Sequence, residues 1–421
     1  MVDMTSPFRR SVAEHRAGIK DIVETAFTNP GTETLVLHPA SGRTLAAPLT
    51  APRSLPPWDN SQMDGYAVNT ADLGTEPLRV VAPIAAGVGA PALEPGTAAP
   101  IMTGAPVPGG ANTVIPIEAA TPNTFPSAAE TATGFHVRLP AMAEAGTYIR
   151  TIGSDIAAGD PVLSAGTLLG PTSLGLLAGL GIGEVTVLRR PEVLLLSTGD
   201  ELVAPGGELA PGQIHDANTT LLATALEAAG CAVSTVGVLD DSSESFVTSL
   251  GHALEAGERA YSLVLSSGGI SQGAFDVVKE VLINHGIEFG SVAMQPGGPQ
   301  GAGTLRLPGH APVAFIAFPG NPVSAYVSYE MFLRPALAEI LSLPERQQLT
   351  ARLTEEVTSM PGKLQVRRGT YDNGTFTPLG GASSHLLAAL AASNSFILIN
   401  EDTTALPAGS DVQVMIIGDG S

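Results

Sequence analysis

Between Arg190 and Leu343, short apolar runs alternate with stretches of helix-forming residues, and this alternation limits the fold more than any other feature of the chain. The runs Val193 to Ser197, Ala232 to Leu239, Leu263 to Ser267, Glu288 to Ala293 and Val313 to Phe318 read as strands. Thr219 to Ala229, Ser245 to Ala256, Asp276 to His285 and Pro322 to Leu341 read as helices. Alternation of this kind predicts a mostly parallel sheet with helices on both faces, since each crossover helix buries its apolar stripe on the sheet. Ligands of such sheets bind beyond the carboxyl ends of the strands, so the loop after each strand is the place to look.

Those loops are polar. Ser197-Thr198-Gly199-Asp200-Glu201 ends the first strand, Asp240-Asp241 follows the second, and Pro319-Gly320-Asn321-Pro322 follows the last. The third strand runs into YSLVLSSGGISQGAFDVVKE, residues 261–280, which reads as strand, tight turn and helix. The first N–H groups of a helix lack partners in the chain and sit at the positive end of its dipole, so this turn can hold an anion without a lysine. Gly268 and Gly269 let the backbone come close to a ligand, Ser267 and Ser271 offer hydroxyls, and Asp276 can hold a metal ion beside a phosphate. Pro322 suits the first turn of the last helix, with Ser324 behind it as a second polar group at an anion seat. Carboxylates next to such helix ends make sense if Mg²⁺ lies between them and a phosphate. Helix capping is the plainer explanation for each Asp and Ser, and an ordinary turn for the glycine pair. Four such loops on one sheet exceed what capping requires.

Size and charge narrow the possibilities further. A chain of 421 residues predicts two to four domains. Its formal net charge of -20 argues against general binding to nucleic-acid backbones or anionic membranes. The only lysines are Lys20, Lys279 and Lys363, so an anionic ligand must be held by arginines, backbone N–H groups, helix ends or bound metal. Cys231, the single cysteine, excludes a disulfide framework and a cysteine metal cluster, and its apolar surroundings predict burial. With no signal-like N-terminus and no apolar run of membrane length, the expectation is a soluble cytoplasmic protein.

Outside the alternating region, Ser11 to Phe27 reads as an amphipathic helix opened by a Ser11/Glu14 capping box. Pro56 to Val68, PPWDNSQMDGYAV, places Asp59, Asn60, Ser61 and Asp64 among Trp58, Met63 and Tyr66. Turn chemistry explains these residues, and so does a positioned polar site. Short β-like runs between Leu78 and Leu139 predict a small β-domain, in which IMTGAPVP either presents Thr103 to a ligand or simply reverses the chain. GSDIAAGD adds a loop carboxylate, Asp155. Beyond Pro344, strands near Leu349 to Val357, Leu364 to Tyr371, Phe376 to Leu379, Phe396 to Asn400 and Val412 to Ile417, with a helix near Ser384 to Ala392, predict a β-barrel-like domain. Its basic cluster, Lys363, Arg367 and Arg368, has a solvated face as its default explanation.

In chain order WDNSQMDGYAV, IMTGAPVP, GSDIAAGD, LLLSTGDEL, GQIHDAN, SSGGISQGAFDVVKE, FPGNPVS and SSHLLAALAASNSF resemble the molybdopterin molybdotransferase family, the enzymes that insert molybdenum into molybdopterin. The resemblance implies an elongated linker domain (1–50 and 145–189) and an inserted small β-domain (51–144). It further implies a doubly wound, mostly parallel α/β domain (190–343) and a C-terminal β-barrel-like domain (344–421). It also implies a homodimer with a shared active-site cleft, in which molybdate is inserted into adenylylated molybdopterin with release of AMP and with Mg²⁺ as cofactor. Carried over motif by motif, Asp59, Asp155, Glu201, Asp241 and Asp276 are the catalytic acids, of which Glu201, Asp241 and Asp276 hold the metal. Thr103, Ser267, Gly268, Gly269 and Ser271 bind substrate, together with Pro319, Gly320, Asn321 and Pro322 of a proline loop. Molybdate falls near Ser324, Arg368 and Ser384.

The chain departs from the family pattern at three places. Gln295-Pro296-Gly297-Gly298-Pro299 stands where the family has Lys-Pro-Gly-Lys-Pro, Ala99-Pro100 where it has an arginine before IMTGAP, and Ala388-Ala389 where it has two serines. Each change removes a group able to hold an oxyanion. The resemblance therefore implies either a transferase that holds molybdate through backbone and arginine, or a paralogue that binds molybdopterin or acts as a scaffold. A molybdopterin adenylyltransferase would share only the α/β domain.

Overall fold

The computed structural model describes residues 8–28, 30–199, 201–237, 243–270 and 277–418. They fall into two compact units: Met1–Glu33 with Gly42–Thr44 and Val187–Ser421, and Thr34–Ser41 with Leu45–Thr186.

The first unit is built on a seven-stranded sheet whose strands lie in the order Phe8–Arg10, Ile287–Val292, Pro299–Leu305, Val313–Phe318, Leu263–Ser267, Glu192–Ser197 and Ala232–Val236. Four of its pairings are parallel; the two made by Pro299–Leu305 are antiparallel. Helices cover both faces. Val12–Ala26, Asn218–Ala228 and the helical stretch from Pro322 to Leu341 pack Ile19, Val23, Leu222, Leu226, Val327 and Leu337 against one side. Ser243–Glu255 and Val277–Ile283 pack Phe246, Leu250, Val281 and Leu282 against the other. The N-terminal helix begins as its sequence predicts: Ser11 Oγ accepts from the Glu14 N–H at 3.2 Å, and Glu14 Oε2 accepts from the Ser11 N–H at 2.8 Å.

Two sheet strands are absent from the sequence reading. Phe8–Arg10 precedes the helix in a segment too short to show periodicity. Pro299–Leu305 reads PQGAGTL, whose glycines and proline argue against a strand. Here a glycine is needed: a Cβ on Gly301 would lie 2.5 Å from the Phe289 ring of the neighbouring strand. The last predicted helix also differs in detail, because Tyr329–Leu333 is a π-helical turn between Pro322–Ser328 and Arg334–Leu341.

The same unit contains a closed five-stranded barrel of Gln348–Leu353, Leu364–Asp372, Thr375–Pro378, Ser395–Ile399 and Asp411–Ile416 around Leu353, Phe376, Ile397, Ile399 and Val414. Met294–Gln295 pairs in parallel with Leu364 and Gln365, which ties the segment after the Ile287–Val292 strand to the barrel. The second unit holds a five-stranded sheet in the order Thr113–Pro116, Gly65–Val68, Thr97–Ile101, Leu78–Val80 and His136–Val137, closed over Tyr66, Val68, Val80 and Val137. Among the described residues no helix is long and apolar enough to cross a membrane.

Candidate active site

Register brings the strand ends together. Ser197 pairs with Ser267, and Ser267 pairs with Phe318, so three neighbouring strands stop at one level. The loops that follow therefore leave the sheet side by side. Thr198 N–H donates to Ser267 O at 3.2 Å and Gly268 N–H donates to Phe318 O at 3.1 Å, which laces the three loops to one another. Gly268 has φ +96°, and a Cβ there would lie 2.6 Å from Thr198 O. The Gly268 N–H is thus spent inside the protein, and the cradle expected at this turn must draw on other groups.

A cavity of about 790 Å³ opens over these loops, a size suited to a cofactor-sized ligand. Of the predicted site residues, Glu201, Ser267, Gly268, Gly269, Pro319, Gly320, Asn321, Pro322, Ser324 and Ser384 line it. Thr198, Asn218, Gln295, Pro296, Gly297 and Ser383 line it as well. Asp241, Ser271 and Asp276 lie outside the described residues. Among the described residues, no three His, Cys, Asp or Glu side chains form a metal-binding group.

Polar atoms on two cavity-lining residues, Thr198 and Asn218, and on the adjoining strand residues Ser197 and Ser266 are short of hydrogen-bond partners. Ser197 Oγ, Thr198 Oγ1, Ser266 Oγ and Asn218 Oδ1 are buried and unpartnered, and unpaired buried polar atoms are costly enough to need an explanation. Arg368 is more exceptional. Its side chain is 3 % exposed; one Nη donates to Ser383 O at 3.1 Å, and Nε is buried without a partner. No carboxylate pairs with it among the described residues. Burial, and then the neighbouring Arg367, push its pKa below the ordinary arginine value. The basic cluster read as a solvated face thus has one member buried behind the cavity-lining Ser383–Ser384 loop.

In the second unit, Asp59, Thr103 and Asp155 lie on adjoining backbone segments. Asp59 Oδ1 accepts from the Ile152 N–H at 2.7 Å, Val107 N–H donates to Asp59 O at 2.9 Å, and Asp155 N–H donates to Leu55 O at 3.0 Å. Thr103 is held by Asp64, whose Oδ1 accepts from the Thr103 N–H at 2.6 Å and its hydroxyl at 2.7 Å. Those two bonds, the N–H first, hold the Asp64 pKa below the usual aspartate value. The carboxylates of Asp59 and Asp155 are exposed.

Comparison with known proteins reads this arrangement. The MoeA N-terminal region (domain I and II) matches residues 10–181, a probable molybdopterin binding domain matches 194–339, and the MoeA C-terminal region (domain IV) matches 350–417. Molybdopterin molybdenumtransferase 2 of Mycobacterium tuberculosis is 40% identical over 424 residues, covering 96% of this chain and 99% of that protein. The chain belongs to the molybdopterin molybdenumtransferase family. A molybdopterin molybdenumtransferase of Haemophilus influenzae is 35% identical, covering 91% of this chain and 93% of its own. The crystal structure of the molybdopterin biosynthesis moeA protein of Pyrococcus horikoshii OT3 superposes with a TM-score of 0.76 at 25% identity, over 97% and 100% of the two chains. Membership places the chain among transferases of molybdenum cofactor biosynthesis, as the ordered motifs imply, and the multi-domain fold agrees with it.

Against that family, sequence reasoning left out Thr198 and Asn218 as cavity residues. Asn218 stands in the motif GQIHDAN at the start of the Asn218–Ala228 helix, a position where an Asn commonly serves as a cap. Asp216 takes that duty instead, accepting from the Thr219 N–H at 3.1 Å and its hydroxyl at 2.5 Å.

Proposed function

We propose that this chain inserts molybdate into adenylylated molybdopterin and releases AMP, acting as a Mg²⁺-dependent cytoplasmic homodimer with the four-part domain division given above. The observation that carries this reading is the cavity over the aligned strand ends, backed by a buried arginine that no carboxylate among the described residues pairs with. A buried guanidinium without a counter-ion calls for an anion, and an oxyanion beside the Ser383–Ser384 loop supplies it.

In this reading Ser267 and the Gly268-Gly269 turn hold oxygens of the phosphorylated pterin, and Pro319 to Pro322 close the opposite wall. Molybdate, the co-substrate, sits between Ser324 and Ser384 with Arg368 behind it. That arrangement supports a site in which the charge lost with Gln295 and Gly298 comes from the barrel. Glu201 is the described cavity carboxylate fit for a metal; the set would be completed by Asp241 and Asp276. Mg²⁺ held by these carboxylates would supply positive charge to the phosphoryl oxygens as AMP leaves. Asp59, Thr103 and Asp155 are assigned to the same reaction, contributed across the dimer.

One observation favours a second reading. Gln295 lines the cavity where the family pattern has lysine, which suits a paralogue that binds molybdopterin without inserting metal. Purified protein given adenylylated molybdopterin, Mg²⁺ and molybdate separates the two. Molybdate-dependent AMP release by the wild type, reduced at least ~100-fold in Glu201→Gln, is expected of the transferase. Tight pterin binding with no AMP at any molybdate concentration would leave only the binding reading.

A further inference from the structure

Asn218 is 6 % exposed and begins the Asn218–Ala228 helix. Its side-chain Nδ2 lies 2.6 Å from Ser267 Oγ and 2.6 Å from Gly320 O, so one amide touches two of the loops that form the cavity. Chemistry fixes which amide atom faces which way. A backbone carbonyl can only accept, so the atom facing Gly320 O is the nitrogen. An NH₂ has two hydrogens, and these two contacts use both.

A constraint on Ser267 follows. Its Oγ accepts from Asn218, which leaves its own proton free for another acceptor. Among the described residues nothing else bonds to Ser267 Oγ, and Ser267 lines the cavity. We infer that Asn218 is a positioning residue, which fixes the Ser267 hydroxyl as a hydrogen-bond donor toward an anionic oxygen of the phosphorylated pterin. This rests on the proposed function above. Helix stability does not account for the side chain, because Asp216 performs the cap and Asn218 Oδ1 is left buried and unpartnered.

Asn218→Asp is the informative change, because a carboxylate has no hydrogen to give. It would accept the Ser267 proton itself and face Gly320 O acceptor to acceptor, turning Ser267 away from the ligand. The test measures anaerobic binding of molybdopterin to wild type, Ser267→Ala, Asn218→Asp and the double variant. Each single change is expected to weaken binding about tenfold or more, as for a hydrogen bond to a charged group. In the Asn218→Asp background, Ser267→Ala should then cost less than about twofold further, since the proton it removes is no longer offered. Multiplying losses, or wild-type binding by Asn218→Asp, would overturn the inference; a charge effect alone predicts multiplication.

Thermal unfolding of Asn218→Leu, Ser267→Ala and their double reads the tie without ligand. Non-additive shifts are expected, and additive shifts would overturn it. Wild-type protein that fails to bind molybdopterin would refute the proposed function, while the unfolding cycle would still decide whether Asn218 orients Ser267.

Discussion

Around the cavity of the sheet-bearing unit, polar side chains are buried and incompletely paired, whereas Asp59 and Asp64 of the other unit are exposed and accept bonds from neighbouring loops. Arg368 Nε, Thr198 Oγ1 and Asn218 Oδ1 belong to the first kind, and Asp59 and Asp64 to the second. Burial by itself does not explain the contrast. Arg346 is also part-buried in the sheet-bearing unit, yet it forms a two-pronged pair with the buried Glu330 at 2.7 and 3.0 Å. The buried Arg368 guanidinium behind the cavity has no such carboxylate among the described residues.

The largest expected effect comes from removing the unpaired cation. Arg368→Met should raise the molybdate concentration for half-maximal AMP release by about a hundredfold, since a charge-assisted bond to an anion is lost. The same variant should unfold at higher temperature, by on the order of 1–3 kcal/mol, because an uncompensated buried charge has been replaced by an apolar chain. A variant that loses both activity and stability would place Arg368 with Arg346 as a structural residue and break the comparison.

His15 sharpens it by pH. The ring is fully buried between Phe8 and Phe332, with centroids 5.7 and 4.7 Å away. Burial, with the nearby Arg10 charge, pushes its pKa from 6.5 down to about 4. Between those values the unfolded chain holds the proton and the folded chain does not, so unfolding takes up protons. Stability is therefore full above pH 6.5 and falls as pH drops toward 4, by ~3 kcal/mol in all. Asp64 has the same sign in a lower range: its lowered pKa contributes stability above the ordinary aspartate value, lost as pH falls below about 3.8 through the folded value. Melting curves at pH 7 and pH 5 should show the sheet-bearing unit weakened at pH 5, and His15→Leu should remove most of that loss. Equal sensitivity in the variant would mean another buried group titrates there.

The two kinds of site were unequally legible in the sequence. The alternation of strand and helix exposed the sheet, and the polar loops exposed its ligand edge, because both are local patterns with a fixed period. Pro299–Leu305 was hidden because its glycines serve packing against Phe289 rather than strand propensity. Asn218 was hidden because its work lies in bonds to Ser267 and Gly320, which are 49 and 102 residues away. The residue pattern alone gives the Arg368 cluster a solvated face as its default, because a basic cluster carries no sign of which member turns inward, and only the family resemblance places Arg368 near molybdate. Asp59 and Thr103, by contrast, stood out in short motifs, and the structure adds mainly how each loop is held.

Asp59 gives the smallest effect and the most direct check on the second unit. Its Oδ1 accepts from the Ile152 N–H at 2.7 Å, a bond that an asparagine can also accept through its own Oδ1. Asp59→Asn should therefore leave the loop folded, with stability changed by no more than about 0.5 kcal/mol, as for other surface substitutions away from special features. If the exposed carboxylate takes part in the reaction, AMP release should nevertheless fall about tenfold, the lower end of a lost charge-assisted contact. Unchanged activity with unchanged stability would show that Asp59 only shapes its turn. Lost activity accompanied by unfolding would show that the negative charge itself holds the loop, and that this unit is built no differently from the other.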